Sequence, residues 1–114
     1  MYKIFVLCLI VVSGFNLIMS KSYGENSMAK NISKNALIVD VRSPEEFIEK
    51  HITGAINIPL PEIEKRISEF GNKKREIVVY CHSGRRSKMA QDILKKAGFT
   101  NVENGGGIDQ MMNQ

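Results

Sequence analysis

The stretch Ile77-Val78-Val79-Tyr80-Cys81-His82-Ser83-Gly84-Arg85-Arg86-Ser87 joins an apolar run to a polar loop that contains a cysteine and two arginines. Four consecutive apolar residues before Cys81 are typical of a strand that is covered on both faces. Residues 87–97 follow with apolar positions at helical spacing. A thiol between a strand and a helix lies over backbone N–H groups, which bind anions and favour a thiolate. The stretch therefore predicts an anion-binding loop with Cys81 in its floor.

Short apolar runs and helical patterns alternate along the rest of the chain. Strands are predicted at 37–41, 55–58, 77–80 and 101–103, and helices at 44–50, 62–70 and 87–97. This alternation is typical of a small α/β domain with a mostly parallel sheet and helices on both of its faces. Ligands bind beyond the carboxyl ends of the strands in such sheets, and Cys81 is expected at that edge.

The first predicted helix has a complete start signal. Ser43 is expected to cap it, Pro44 fits its first position, and Glu46 completes a capping box. Phe47 is expected to be its main core residue.

The second half of the chain has one strongly amphipathic helix. One apolar stripe is expected along it, formed by Met89, Ala90, Ile93, Leu94 and Ala97. Residues 105–107 are three glycines, which are expected to turn the chain into a short tail.

The N-terminal residues have the features of a secretory signal. Lys3 supplies a positive charge, and the apolar run at 4–12 is shorter than the roughly 20 residues of a membrane span. Cleavage is expected before Glu25, with cleavage after Ser20 or Ser22 as alternatives. An uncleaved leader that anchors the protein in a membrane is the other interpretation. After cleavage no stable membrane span is expected.

The predicted organisation has three parts. They are a signal peptide at 1–24, a linker at 25–35 and a single domain at 36–114. At 114 residues the chain is long enough for one small domain.

The charge distribution does not favour nucleic-acid binding. The formal net charge of +4 includes Lys3 and Lys21 of the predicted leader, and the remaining basic residues are interleaved with acidic ones. A basic stripe with interleaved aromatic residues is absent from the sequence. The local excess at Arg85, Arg86 and Lys88 suits a small anion better.

Cysteine usage points to a single functional thiol. The chain has two cysteines, and Cys8 lies in the predicted leader, so the mature protein would have no intramolecular disulfide. The loop position of Cys81 argues against deep burial.

No cluster of His, Cys and carboxylate residues has metal-ligand spacing, so no metal and no other cofactor is expected.

Three separate segments resemble those of rhodanese domains. The runs Leu37-Ile38-Val39-Asp40-Val41-Arg42-Ser43-Pro44-Glu45-Glu46-Phe47 and His51-Ile52-Thr53-Gly54-Ala55-Ile56-Asn57-Ile58-Pro59 look like the opening signature of that family. Cys81-His82-Ser83-Gly84-Arg85-Arg86-Ser87 is similar to its active-site loop, and Asn101-Val102-Glu103-Asn104-Gly105-Gly106-Gly107 resembles its closing strand and turn. The chain departs from the family pattern at Met111, where a Trp is frequent. The N-terminal strand of larger members is short or missing before Ala36.

The resemblance implies a thiosulfate sulfurtransferase of the single-domain, periplasmic type, in which Cys81 carries the sulfur as a persulfide. Thiosulfate is then the donor, and cyanide, a small thiol or a protein thiol is the acceptor. The expected substrate-binding residues are His82, Ser83, Gly84, Arg85, Arg86 and Ser87.

The arginines and Asp40 have expected supporting roles. Asp40 is expected to accept hydrogen bonds from the loop or to pair with an arginine, and Arg42 to pair with Glu46. Arg86 is the preferred pocket residue because the family pattern Cys-x-x-Gly-x-Arg falls on it, and Arg85 stays a candidate at the rim. Asp40 and Arg42 are thus support for the site rather than reacting groups.

Other interpretations stay open at this point. The domain could carry or sense sulfur, or dock a partner, with little turnover. It could also act on phosphate or arsenate, although four residues separate Cys81 from Arg86 where a cysteine phosphatase has five, and arsenate reduction usually needs a second thiol. His82 is a weaker candidate for acid–base chemistry, and His51 is expected to hydrogen-bond a backbone carbonyl.

Overall fold

A computed structural model of the protein describes residues 32–113. It has four strands, β1 (Leu37–Asp40), β2 (Ile56–Asn57), β3 (Ile77–Cys81) and β4 (Val102–Gly107). They form one sheet in the order β2-β1-β3-β4, and each neighbouring pair is parallel. The predicted α/β fold is confirmed. The predicted signal peptide, its cleavage site and most of the predicted linker lie outside the described residues.

Three α-helices accompany these strands: α1 (Pro44–Glu49), α2 (Arg85–Lys96) and α3 (Ile108–Met112). The predicted capping box of α1 is present, because Ser43 Oγ accepts from Glu46 N at 3.2 Å and the Glu46 carboxylate accepts from Ser43 N at 3.2 Å. Between β2 and β3 the chain forms two 3₁₀ segments, Leu60–Glu62 and Glu64–Phe70, with a break in helical geometry at Arg66. The predicted continuous helix at 62–70 is therefore wrong in type.

The central strand β3 supplies a core to both faces of the sheet, because its side chains alternate. On one face Ile77, Val79 and Cys81 pack with residues of α2 and the second 3₁₀ segment, among them Phe70, Ala90 and Leu94. On the other face Val78 and Tyr80 pack with Ile108 and Met111 of α3. All five residues of β3 are buried, which explains its uninterrupted apolar run.

Two predicted core residues lie elsewhere. Phe47 is only half-buried and stacks on His51, with ring centroids 3.8 Å apart, and none of the residues of α1 is fully buried. Met89 is 53% exposed, because the buried face of α2 is narrower than the predicted stripe.

The C-terminal residues differ most from expectation. Strand β4 continues through the three glycines, and α3 follows directly, so the predicted short tail is wrong. Glycine is required in β4 because the neighbouring chain segments are very close. A Cβ at Gly107 would overlap the carbonyl oxygen of His82, and one at Gly105 would lie 2.5 Å from Met111 Sδ. The closing segment is thus packed tightly against the loop after β3.

Within residues 32–113, no helix has the length and apolar character needed to cross a membrane.

Candidate active site

The loop from Cys81 to Arg85 is formed by the end of β3 and the start of α2. Cys81 is the last residue of β3 and Arg85 the first of α2, so the loop lies at the carboxyl edge of the sheet as predicted. Gly84 caps the helix with φ +95, a left-handed conformation that residues with a Cβ rarely adopt. A Cβ at Gly84 would also lie 3.3 Å from Gly106 Cα. The sharp turn therefore depends on this glycine.

The sulfur of Cys81 is surrounded by hydrogen-bond donors. Gly84 N donates to Sγ at 3.0 Å and Ser87 N at 3.4 Å, while Ser87 Oγ lies 3.4 Å from Sγ. The expectation that the loop position would leave the thiol accessible is wrong, since Cys81 is only 1% exposed. The loop folds over the sulfur, because the N–H groups that contact it come from residues that follow it in the chain.

These contacts favour the thiolate. Burial raises the pKa of Cys81, but the Ser87 hydroxyl and the N–H groups of Ser87, Ser83 and Gly84 stabilise the charged form and lower it. The net effect is a pKa below the ordinary value for cysteine. The site thus has a thiol whose charged form is stabilised by its own loop.

Arg86 pairs with a carboxylate from α1. Its guanidinium donates to both oxygens of Glu46, at 2.8 and 3.1 Å. The hydrogen bond from Arg86 lowers the pKa of Glu46 to about 2. Glu46, and to a smaller degree the Cys81 charge, raise the pKa of Arg86. Arg85 is exposed, and its side chain has no hydrogen bond or ion pair to any other described residue.

Asp40 and Arg42 form a buried ion pair next to the loop. Asp40 is fully buried and Arg42 is 5% exposed, and Arg42 Nη2 lies 2.7 Å from Asp40 Oδ2. Arg42 also donates to the carbonyl oxygen of Lys50, which fixes the end of α1. The predicted pairing of Arg42 with Glu46 is therefore wrong. Asp40 precedes Arg42 by two residues and already accepts from its backbone N–H, so it is the nearer partner.

A polar contact that sequence reasoning did not identify lies beneath the loop. Ser87 Oγ donates to Asn104 Oδ1 at 2.6 Å, and Asn104 Nδ2 donates to the carbonyl oxygen of Gly84 at 3.1 Å. Asn104 belongs to β4, so the closing strand reaches both the helix cap and the hydroxyl beside the sulfur. An asparagine next to three glycines was the available sequence signal.

The exposed side of the loop borders a cavity. His82 is exposed and helps to line a space of about 400 Å³ between α1 and α3. The remaining lining residues are Arg42, Glu46, Glu49, Lys50, Ile108 and Asp109. Charges of both signs therefore face this space. His51 lies outside it, and its Nδ1 is 2.7 Å from the carbonyl oxygen of Phe47, as predicted.

Among residues 32–113 there is no group of three or more His, Cys, Asp and Glu side chains arranged to hold a metal ion.

The comparisons with known proteins all point to the same family. The family model described as Rhodanese-like domain matches residues 25–113. The thiosulfate sulfurtransferase PspE of Escherichia coli is 48% identical over 71 residues, which cover 61% of this chain and 68% of PspE. YrkF of Bacillus subtilis, whose name describes it as a sulfur carrier protein, is 52% identical over 67 residues, which cover 59% of this chain and 36% of YrkF. A solved E. coli rhodanese with anions superposes with a TM-score of 0.63 at 43% identity, covering 66% of this chain and 89% of that one.

Proposed function

Because this chain belongs to the rhodanese-like domain family, we propose that it is a thiosulfate sulfurtransferase that moves a sulfane sulfur through a persulfide on Cys81. One observation carries the proposal: the backbone N–H groups of Gly84 and Ser87 donate hydrogen bonds to Cys81 Sγ. These donors stabilise a negative charge at the sulfur, which the reaction needs in its attacking state.

The first half-reaction loads the sulfur. The Cys81 thiolate attacks the outer sulfur of thiosulfate, and the bond between the two thiosulfate sulfurs breaks. Sulfite leaves with the bonding electron pair, and Cys81 keeps one extra sulfur as a persulfide anion. The total charge is the same on both sides of this step, so no oxidant or reductant is required.

The second half-reaction unloads the sulfur. Cyanide or a thiolate attacks the outer sulfur of the persulfide, and the bond to Cys81 Sγ breaks. The bonding electron pair returns to Sγ, which restores the thiolate. A thiocyanate ion leaves when cyanide is the acceptor, and a persulfide of the acceptor when it is a thiol.

Binding of the anionic substrate is assigned to the loop. The N–H groups of Gly84 and Ser87 already donate to the sulfur, and such groups bind anions in other loops of this kind. Arg85 supplies an exposed positive charge at the rim, and Arg86 supplies a second one that Glu46 partly neutralises. Asp40 and Arg42 support the site by fixing β1 and α1, without contacting the sulfur.

A sulfur carrier is the second candidate, and the burial of Cys81 favours it. A sulfur that is 1% exposed can hold a persulfide away from water and release it only to a partner that opens the loop. The carrier name of YrkF is consistent with such a role. A carrier would accept sulfur from thiosulfate but would show little multiple turnover with cyanide.

The geometry gives no support to the phosphate or arsenate alternative. The loop has four residues between Cys81 and Arg86, and the guanidinium of Arg86 is engaged by Glu46. Within the described residues Cys81 is the one free cysteine, so a resolving thiol is missing there.

The site of action is proposed to be the periplasm. The apolar run at 4–12 and the positive charge at Lys3 support export and removal of the leader near Glu25. N-terminal sequencing of the exported protein tests this, and recovery of an intact Met1 from a membrane fraction would contradict it.

The functional test is thiocyanate formation from thiosulfate and cyanide. The protein with Cys8→Ser is compared with the Cys8→Ser/Cys81→Ser variant, so that one thiol is the only difference. Multiple turnovers that disappear with Cys81 would support the enzyme. Loading of one sulfur without turnover would support the carrier, and no loading would refute both.

A further inference from the structure

The contacts of Asn104 fix the orientation of its amide. Gly106 N donates to Asn104 Oδ1 at 2.9 Å, and Asn104 Nδ2 donates to Gly84 O at 3.1 Å. A backbone N–H can only donate and a backbone carbonyl can only accept. The oxygen of the amide must therefore face Gly106, and this places the same oxygen 2.6 Å from Ser87 Oγ.

The orientation of the amide determines where the Ser87 proton lies. Asn104 Oδ1 is an acceptor, so the short contact requires the Ser87 hydroxyl to donate to it. A hydroxyl has one proton, and Ser87 cannot donate to Cys81 Sγ at the same time. While Ser87 donates to Asn104, the 3.4 Å contact can only run from the thiol to Ser87 Oγ.

A charged sulfur demands the opposite arrangement. A thiolate has no proton to give, and a lone pair of Ser87 Oγ directed at it would be repulsive. Ser87 is fully buried, so water cannot take over the contact. Rotation of the hydroxyl alone brings its proton to Sγ, and Asn104 Oδ1 then keeps only the bond from Gly106 N.

We propose that Asn104 is a positioning residue for Cys81, which holds the Ser87 proton while the sulfur is uncharged and releases it to the sulfur when the charge appears. This inference rests on the proposed role of Cys81 as nucleophile. It deepens that role, because Sγ is charged before loading and uncharged in the persulfide. The Ser87 hydroxyl therefore returns to Asn104 on loading and swings to Sγ as the leaving thiolate forms.

The test is the pH dependence of Cys81 alkylation by iodoacetamide in the Cys8→Ser protein. Asn104→Leu removes the competing acceptor, so it should shift the alkylation midpoint down by about half to one pH unit, the size of one hydrogen bond. In a Ser87→Ala background the same substitution should have no effect, because the competition needs the hydroxyl. Asn101→Leu, an exposed asparagine just before the same strand, is the matched control and should leave the midpoint unchanged.

The other charged and titratable groups around the loop are not altered by these variants. They are His82, Arg85, Arg86, Glu46, and the pair of Asp40 and Arg42. An equal downward shift with and without Ser87 would mean that Asn104 acts only by anchoring Gly84, and no shift in either background would mean that it does not act on the sulfur. Both results would overturn the proposal.

A second measurement does not depend on the folding of Asn104→Leu. The amide resonance of Gly106 should titrate with the same midpoint as Cys81, because its bond to Asn104 Oδ1 strengthens when Ser87 leaves. In Ser87→Ala this titration should largely vanish, and its persistence at full size would overturn the proposal.

Thiocyanate formation by the wild type is followed in parallel. Failure of that assay refutes the proposed function, whereas turnover with unchanged alkylation midpoints refutes only the role of Asn104.

Discussion

Arg86 and Glu46 form a bidentate ion pair that connects the first turn of α2 to the first turn of α1, with N–O distances of 2.8 and 3.1 Å. The Arg86 guanidinium is therefore held beside the cysteine loop instead of being free in solvent. The same carboxylate completes the capping box of Ser43. One side chain thus orders the start of a helix and fixes the cation next to the cysteine loop.

This ion pair predicts a loss of stability in acid. The pKa of Glu46 is lowered from 4.5 to about 2, so its contribution is present above the ordinary pKa and is lost as the pH falls toward 2. Glu46→Gln keeps the capping acceptor and removes the charge, and we expect a loss of about 1 kcal/mol at neutral pH, since both side chains are partly exposed. Urea unfolding at neutral and acidic pH measures this. Glu45→Gln, on the exposed side of the same helix, is the control, and an equal loss in both variants would contradict the assignment.

The buried pair of Asp40 and Arg42 predicts a much larger effect. Asp40→Asn leaves the Arg42 guanidinium buried without a countercharge, and we expect a loss of about 3–5 kcal/mol in the free energy of unfolding. The double variant Asp40→Leu/Arg42→Met removes both charges and should recover much of that loss. Denaturant midpoints of the three proteins test this. A single variant as stable as the wild type would show that the pair has no structural role.

The close approach of β4 to the cysteine loop predicts that Gly107→Ala damages the site. The added Cβ would overlap the His82 carbonyl and push the loop away from the sulfur, so turnover should fall by at least about tenfold. Gly54→Ala is the comparison, because its Cβ would meet open space at the opposite edge of the sheet. Gly54 has a positive φ, which Gly107 does not, so an alanine at Gly54 is strained by the backbone conformation alone. It should lower stability but not the turnover of the folded protein. Equal turnover of Gly107→Ala and wild type would show that the loop tolerates displacement.

The exposed charge of Arg85 predicts an effect on substrate binding. Arg85→Ala should raise KM for thiosulfate severalfold and leave kcat within about twofold, because the residue attracts the anion but does not contact the sulfur. The effect should shrink at high ionic strength. Lys88→Ala removes a cation of the same helix that is already paired with Asp92, and it serves as the control. A fall in kcat at unchanged KM would place Arg85 in the chemical step instead.

Features that depend on neighbours in the chain could be predicted from the sequence. The capping box at Ser43 needs only residues three apart, and the buried strand before Cys81 is evident from one apolar run. The order of strands and helices then places Cys81 at the carboxyl edge of the sheet.

Contacts between distant segments could not be predicted in the same way. The partner of Arg86 is 40 residues away in the chain, and the partner of Ser87 is 17 residues away. Each depends on how α1 and β4 pack around the loop. The burial of Cys81 was missed for another reason. The groups over its sulfur belong to Gly84 and Ser87, only three and six residues later, and the sequence does not show that this loop folds back over the thiol.

The proposed mechanism depends on a persulfide intermediate on Cys81, which intact-mass spectrometry would detect. The Cys8→Ser protein is treated with thiosulfate alone and compared with its Cys81→Ser counterpart. We expect one extra sulfur per molecule, an equal amount of released sulfite, and complete removal of the extra sulfur by cyanide, with no loading of the serine variant. A protein that stays unmodified, or that gains sulfur equally without Cys81, would contradict the mechanism.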